Sequence, residues 1–570
     1  MDKSPAKPLT EDKGMSEDST AWLDEFFASF YKHQPVSATF IGIHTFDQHL
    51  PDFSKEGVED LCNEMQSLLE RKPQQNVNET LQYSDLLLAN NFLETQLAEF
   101  QDIRFHLKNP AIYTGEAVMG IMSLFMRSFA PLSQRVNSAI GRMNAAPSFL
   151  EQGQVNVKQA PGEWIQRAMN ECTGATHFLG RGVDLLMNEF NITSKALRKA
   201  ANKALLAFKE YERYLSDQLL PSATNNYASG TPFFDLSIQK GHCVDLDAEE
   251  ITEYGMKRFH QIQEQLVKDA GKLGSQDWPE VLGRLGNDHP SSTNYLESFG
   301  RLRNECERVS EAREFLTLPK SQVRYTFMPV YFRDAVPFLH FLSYWAPAAF
   351  GNLPIHDYFV TPIEESMPTE QQDRLLHLQN FSVLKLNYVV HHGSLGHHFQ
   401  NYYAYRAKSR IGQVAAVDCA RGIAMLCGGT MAEGWACYAT DLMRGTGFYN
   451  ELEEFAQLHS QLRQAARAVV DSNLHRGSFS FDQAVNFYSS QAGMTIPAAK
   501  SEVVRNSMFP GVGSMYLLGL DTIHKLRSRM TEKDGTSFSL RSFHDRFLSY
   551  GSIPTSLIAR SILGDELQLN

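Results

Sequence analysis

Residues 194–221, SKALRKAANKALLAFKEYERYLSDQLLP, carry the plainest period in the chain. Leu197, Ala201, Ala204, Leu205, Phe208, Tyr211, Leu215 and Leu219 recur at steps of three and four, with Lys195, Lys199, Lys203 and Glu212 mostly between them. That spacing puts one apolar stripe along a helix of 3.6 residues per turn, where a half-buried strand would alternate strictly. Pro221 lacks a backbone N–H and is placed to end the segment. The same period recurs over 20–33, 57–72, 78–102, 133–150, 162–190, 248–272, 291–315, 452–474, 482–491 and 513–530. Runs suited to strands are few, 323–330 and 357–361. The chain therefore reads as mainly α with at most a small β-sheet.

Breaks containing proline or glycine fall near 50–55, 108–114, 221–233, 273–290 and 351–370. None is long or biased enough for a disordered linker between domains. Residues 20–570 are expected to form one architecture, with N-terminal and C-terminal halves meeting somewhere in 230–320. Residues 1–19, polar and mixed in charge, are expected to be a disordered tail, with a first helix starting around Trp22 and capped by Ser19 or Thr20.

Hydrophobic residues make up 43% of the 570 and charged residues 21%, which excludes disorder as the main state. The 53 Lys+Arg against 65 Asp+Glu leave a net charge of −12 with no basic block, so no nucleic-acid partner is expected. No run approaches the roughly 20 apolar residues of a membrane span, and the N-terminus has no apolar core of a secretory signal. Cys62, Cys172, Cys243, Cys306, Cys419, Cys427 and Cys437 are odd in number and form no C-x-x-C pair. They suit buried reduced thiols better than a disulfide framework or a thiolate zinc site, and the expected compartment is cytoplasmic.

Residues 389–400, VVHHGSLGHHFQ, break from this background. His391, His392, His397 and His398 crowd into eight positions of a chain with 19 histidines. Imidazole is the commonest side-chain ligand for zinc and similar ions, and such crowding is costly unless something uses it. A zinc helix of the H-E-x-x-H type sets its histidines four apart on one face. Here the separations between the two pairs are five, six and seven. Five or six steps turn the side chains onto different faces, and seven steps separate them by about 10.5 Å along the axis. Zinc–nitrogen bonds are about 2.0–2.1 Å long, so no straight helix can offer such a pair to one ion. A shared metal requires the backbone to bulge or break between the pairs, and Gly393 and Gly396 would permit it.

A carboxylate ligand would have to come from elsewhere. Glu433, in the helical segment MAEGWACYAT, is the best candidate, although it also reads as a surface glutamate beside a buried tryptophan. Asp471 and His475 stand four apart in VVDSNLH, where the carboxylate could orient the imidazole. Tyr516, after the Pro510-Gly511 turn, and Arg505 are candidate donors to an oxyanion.

Together these segments resemble the bacterial DUF885 family, whose members are related to helical metallopeptidases of the gluzincin kind. The family pattern reads H-E-x-x-P-G-H-H-x-Q, then E-G-W-A-x-Y-A-E, R-x-V-V-D-x-G-L-H, E-V-x-R-Y-x-x-x-P-G-Q-A-x-x-Y and F-H-x-x-x-L-x-x-G-x-x-P. The matching stretches here are 391–400, 433–439, 467–475, 502–505, 510–516 and 543–554, within a resemblance that runs over roughly 30–565. It implies a mostly α, metallopeptidase-like fold with a deep central channel. It also implies one divalent metal ion, zinc by preference, held by His391, His397 or His398, and Glu433. Of the adjacent pair, His397 is the favoured ligand, since one of two neighbours normally points away. Tyr516 would stabilise a tetrahedral intermediate, His475 and Arg505 would line the cleft, and the substrate would be a short peptide or a small amide-containing molecule.

The departures bear on chemistry. Where the family has a glutamate after its first histidine, this chain has His392. That glutamate would take the proton from the attacking water and pass it to the leaving amine. An imidazole can act as a base near neutral pH but brings no negative charge. Leu395, Thr440, Asn506 and Val512 also depart from the pattern. The expected activity is that of a divergent metal-dependent hydrolase of a peptide or amide bond, with His392 or a bound water network in place of the usual base. A metal-dependent tailoring enzyme of small-metabolite biosynthesis, or a non-catalytic binder of peptides or small molecules, are the alternatives that His392 leaves open.

Overall fold

The amphipathic stripe of 194–221 forms a helix, Lys195–Tyr214, capped by the Ser194 hydroxyl, which accepts from the Leu197 N–H. It runs on through a π-helical turn, Leu215–Leu219, and stops in a short 3-10 turn that contains Pro221. Leu197, Ala201, Ala204, Phe208 and Tyr211 are buried along it, and they face the Leu132–Asn156 and Gly162–His177 helices. This is a computed structural model, and it describes residues 16–73, 82–339, 344–351, 355–418 and 422–564. Helices dominate throughout. The first begins at Glu17 with Ser16 as its cap, more than a turn before the expected start at Trp22. Residues 1–15 of the expected tail lie outside the described residues.

Several helices lie outside the segments that the periodicity marks, Ala111–Met126, Ile496–Met508 and Leu540–Leu548 among them. Ala111–Met126 has thirteen of its sixteen residues buried, because neighbours cover it on every side. A helix wrapped by protein has no polar face and therefore no amphipathic signature. The two expected strands are present as β1, Gln322–Phe327, and β2, Ile355–Val360, which pair in parallel with Tyr325 opposite Tyr358 and Arg324 opposite Asp357. Side chains alternate across such a ribbon. Tyr325 and Tyr358 share one face, their rings 5.1 Å apart, while Arg324 and Asp357 form an ion pair on the other.

In the C-terminal half, Glu451–His475 lies along Ala248–Lys272, and Gly429–Leu442 lies along Met515–Asp534. The second pair touches through two glycines. A Cβ on Gly434 would sit 2.6 Å from the Gly519 Cα, and one on Gly519 would sit 2.8 Å from the Gly434 Cα, so only hydrogen fits at this crossing. One continuous cluster of buried apolar side chains extends from Trp22 to Ile562. No helix among the described residues is long and apolar enough to cross a membrane.

Candidate metal centre

The distortion that a metal shared between the histidine pairs would demand is present. Leu384–Gly393 is wound as π-helix, whose extra residue per turn brings His391 and His392 round to the interior. The chain then breaks over 394–396 and restarts as the helix His397–Ala404. The Gly396 N–H donates to the Val390 carbonyl at 2.8 Å, folding the break back on itself. Both glycines serve close approach. A Cβ on Gly393 would lie 2.7 Å from the Tyr388 carbonyl oxygen, and one on Gly396 would lie 2.8 Å from the Val390 oxygen and would overlap the His391 carbonyl.

Three rings converge as a result. His391, His392 and His397 each offer a ring nitrogen, and these lie within 4.8 Å of one another. Glu433 meets them from the facing helix, with Oε2 3.4 Å from His391 Nε2 and 3.7 Å from His397 Nε2. Two donors about 2.05 Å from one ion at a tetrahedral angle are about 3.4 Å apart. The carboxylate and these two imidazoles thus sit close to the spacing a single ion imposes, and the N/O donor set suits zinc. His391 and Glu433 keep 15% and 19% of their side-chain surface open, whereas His397 keeps 4%, so the group is approached from the His391 side.

Burial would raise the Glu433 carboxyl, but hydrogen bonds from His391 and His397 outweigh it and hold the group well below the usual carboxylate range. Burial would lower His397, and the same carboxylate overrides it and keeps that imidazole above its ordinary value. A proton held between a carboxylate and an imidazole is what a divalent cation displaces on binding.

The consecutive residues Glu433, Gly434 and Trp435 point in three directions, and each has a job. Glu433 reaches the imidazoles, Gly434 admits the Met515–Asp534 helix, and the Trp435 indole N–H donates to the Leu395 carbonyl at 2.9 Å, tying down the break. The surface-glutamate alternative is thereby excluded.

His398 is not brought to this group. It is 3% exposed, with Nδ1 3.4 Å from the Tyr344 hydroxyl and its ring stacked 6.0 Å from that of His356. Adjacent residues on a helix point about 100° apart, so the turn that aims His397 at Glu433 aims His398 away. His392 stands in its place. The Tyr358 hydroxyl lies 3.4 Å from its Nδ1. Burial, and then His391 and His397, push its pKa well below the ordinary histidine value.

Arg505 and Tyr516 are paired, with Arg505 Nη2 donating to the Tyr516 hydroxyl at 2.8 Å, and the Glu433 charge is felt at both. The Arg467 guanidinium packs over the Tyr516 ring at 4.4 Å and forms a two-pronged ion pair with Glu502 at 2.8 and 2.9 Å. Because Tyr516 receives a hydrogen bond on its oxygen, its own proton is free to be donated onward.

His475 and Asp471 do something other than what their spacing suggests. His475 is fully buried, accepting from the Ser229 N–H on Nδ1 at 3.2 Å and donating from Nε2 to the Asn506 carbonyl at 2.9 Å. Both nitrogens are used and burial holds its pKa at about 4, so it is a neutral structural pin, not a cleft residue. Asp471 accepts from the Ser514 N–H and hydroxyl, each at 2.9 Å, and from the Gly511 N–H at 3.3 Å. It secures the turn that delivers Tyr516. Its contact with His475, at 3.6 Å, is secondary.

Asp418, Tyr344 and Tyr358 went unnoticed in the sequence. Asp418 lies near His397 and Glu433, and burial raises it to about 6. Tyr344 and Tyr358 back the imidazoles, the Tyr344 ring 5.9 Å from His392 and 6.4 Å from His397. No short-range pattern marks any of them.

The sequence profile of the family described as "Bacterial protein of unknown function (DUF885)" matches residues 35–562. The chain belongs to the DUF885 family. Two solved structures share the DUF885 fold seen here. One is described as a "putative lipoprotein of unknown function" from Shewanella oneidensis, 19% identical, with a TM-score of 0.76 over 96% of this chain and 100% of that one. The other is a "putative lipoprotein" from Colwellia psychrerythraea, 18% identical, with a TM-score of 0.73 over 96% of this chain and 98% of that one. No curated protein matches this DUF885 chain.

The lipoprotein descriptions overturn the cytoplasmic expectation. That expectation rested on cysteine usage, which the fold shows to be a poor guide to compartment. Cys172, Cys306, Cys427 and Cys437 are buried and unpaired, and a thiol shielded in a core is compatible with either redox environment.

Proposed function

We propose that this DUF885 protein is a metal-dependent hydrolase of peptide or amide bonds in a small substrate, built on a gluzincin-related scaffold whose cleft admits short peptides. One observation carries the reading: Glu433 stands 3.4 and 3.7 Å from two imidazole nitrogens of a three-histidine group, close to the edge of a tetrahedral site. His391, His397 and Glu433 would hold the ion. Bound zinc would supply Lewis acidity, polarising a carbonyl and acidifying a water.

The rest of the chemistry falls to this chain's own residues. Tyr516, charged with a hydrogen bond from Arg505, donates its proton's hydrogen bond to the substrate oxygen as negative charge develops there. His392 receives the proton lost by the attacking water and returns it to the departing nitrogen. A neutral imidazole keeps one ring nitrogen with the lone pair a base needs. Asp471 holds the turn on which Tyr516 depends.

The test has two stages. Zinc content of the purified protein should approach one equivalent and collapse in Glu433→Gln. The zinc-loaded protein should then cleave members of a mixed short-peptide library, read by mass spectrometry, and His392→Glu should cleave faster. A fully metallated protein that cuts nothing, with His392→Glu equally inert, would defeat the hydrolase reading.

A further inference from the structure

The two-stranded sheet is a wall with two different sides. On one side Tyr325 and Tyr358 face the imidazoles, Tyr358 lying 3.4 Å from His392. On the other side a cavity of about 600 Å³ opens between Arg324, Thr326 and Phe359 of the sheet and the Phe125–Arg135 corner of the N-terminal helices. That volume is within the range of small-molecule pockets, about 300–1,000 Å³. Its lining includes none of the imidazoles of the centre described above, nor Glu433, Arg505 or Tyr516.

The charges in this cavity do not cancel. Arg324 is neutralised by Asp357 at 2.7 and 2.9 Å, and Arg333 is held by Glu364 at 2.9 Å. Arg135 is different. It is 5% exposed, and its guanidinium is held only by carbonyl oxygens, Nε to Ala130 at 3.0 Å and Nη1 to Leu124 at 3.2 Å. Among the described residues it has no carboxylate partner, and the remaining acid of the cavity, Glu189, is exposed. Burial without a counter-ion disfavours the charged guanidinium and lowers its pKa. A buried cation left without an anion is costly, and the cost falls away when an anion enters beside it.

The walls supply the other half of the recognition. Phe327, Met328, Tyr331 and Phe359 line the cavity, while Phe190 and Val330 stand at it with 37% and 40% of their surface open to solvent. Arg127 also lines the cavity and is tied to the Phe40 and Ala346 carbonyls; the Arg135 guanidinium matches a carboxylate, and the apolar walls match an aromatic or aliphatic body. We propose that this cavity is a second ligand site, taking a small monocarboxylate with an apolar body whose carboxylate is received at Arg135.

The proposal does not rest on the reading of the metal centre. The probe is 3-phenylpropionate, titrated calorimetrically into the full-length protein, with 3-phenylpropanamide as the uncharged counterpart of the same shape. The acid should bind with a dissociation constant below about 1 mM and the amide at least about tenfold more weakly. Arg135→Gln should erase the preference for the acid. Because Arg135 also ties two carbonyl groups and its loss can impair folding, Thr326→Phe is the second variant. It fills the cavity from a partly buried strand position that tolerates an aromatic side chain, and it should abolish binding while circular dichroism and melting temperature stay as in the wild type. Equal affinity for acid and amide, no heat up to about 10 mM acid, or unchanged binding in Thr326→Phe would each overturn the proposal.

Discussion

Gly396→Ala is the sharpest probe of the histidine break. An added Cβ would lie 2.8 Å from both the His391 carbonyl carbon and the Val390 oxygen, and would overlap the His391 oxygen itself. Ordinary contact begins at 3.4 Å, so the two arms of the break must part by about 0.6 Å or more. The obstructing atoms are backbone, and no rotamer change can relieve them. Overpacking of this kind costs about 1–3 kcal/mol, and the upper end applies here. The same displacement carries His391 away from His397, while metal–ligand distances tolerate only about ±0.2 Å. Zinc affinity should fall by about 100-fold, comparable to losing an orienting partner of a ligand.

The assay pairs zinc competition against a chromogenic chelator with urea unfolding. Gly300→Ala is the control: it lies in the Tyr295–Ala312 helix with nothing within 4 Å of the added Cβ, and it should stabilise by about 0.5–1 kcal/mol without touching zinc. If Gly396→Ala holds zinc as tightly as the wild type and unfolds at the same urea concentration, the glycine break is not what assembles the centre.

Tyr516→Phe should lower kcat for peptide cleavage by about 100-fold with KM little changed, since the hydroxyl acts on charge that develops only in the transition state. Trp435→Phe removes the hydrogen bond to the Leu395 carbonyl and should cost about 1–2 kcal/mol in urea unfolding, with weaker zinc retention on dialysis. For His475, burial lowers the folded pKa to about 4 while the unfolded chain keeps the ordinary value. The unfolded state therefore binds the proton first as pH falls, and stability is lost between pH 6.5 and 4. From pH 7 to pH 4.5 this one residue contributes a loss of about 2 kcal/mol. Urea titrations of His475→Gln at the two pH values should show a pH dependence smaller by that amount, and an unchanged dependence would mean the ring is not held neutral.

Much of the centre could be read from spacing. Histidines five to seven apart cannot meet on a straight helix, and the bulge or break that a shared metal would demand takes the form of π-helical winding followed by a break. Glu433 was legible as a carboxylate in an unusual Glu-Gly-Trp, though the reason for the motif was not. Gly434 answers to Gly519 and Trp435 to Leu395, and neither partner is visible from the motif itself. The Asp471–His475 pair misled for the opposite reason. Its spacing is right for a side-chain contact, but stronger partners at Ser514, Gly511, Asn506 and Ser229 compete for the same atoms.

Features that depend on residues within a turn or two of each other were settled before folding: helical periods, the stop at Pro221, the two short strands. Local sterics and backbone hydrogen bonding suffice for those. The choice of His392 over His398 as the third imidazole, the arrival of Asp418 and Tyr358, and the retirement of His475 into the core came from packing between remote segments. Each depends on which surfaces are buried together, and burial is a property of the whole chain. The buried Ala111–Met126 helix and the lone guanidinium of Arg135 belong to the same class, since a residue's lack of an exposed face or of a counter-ion exists only once its neighbours are in place.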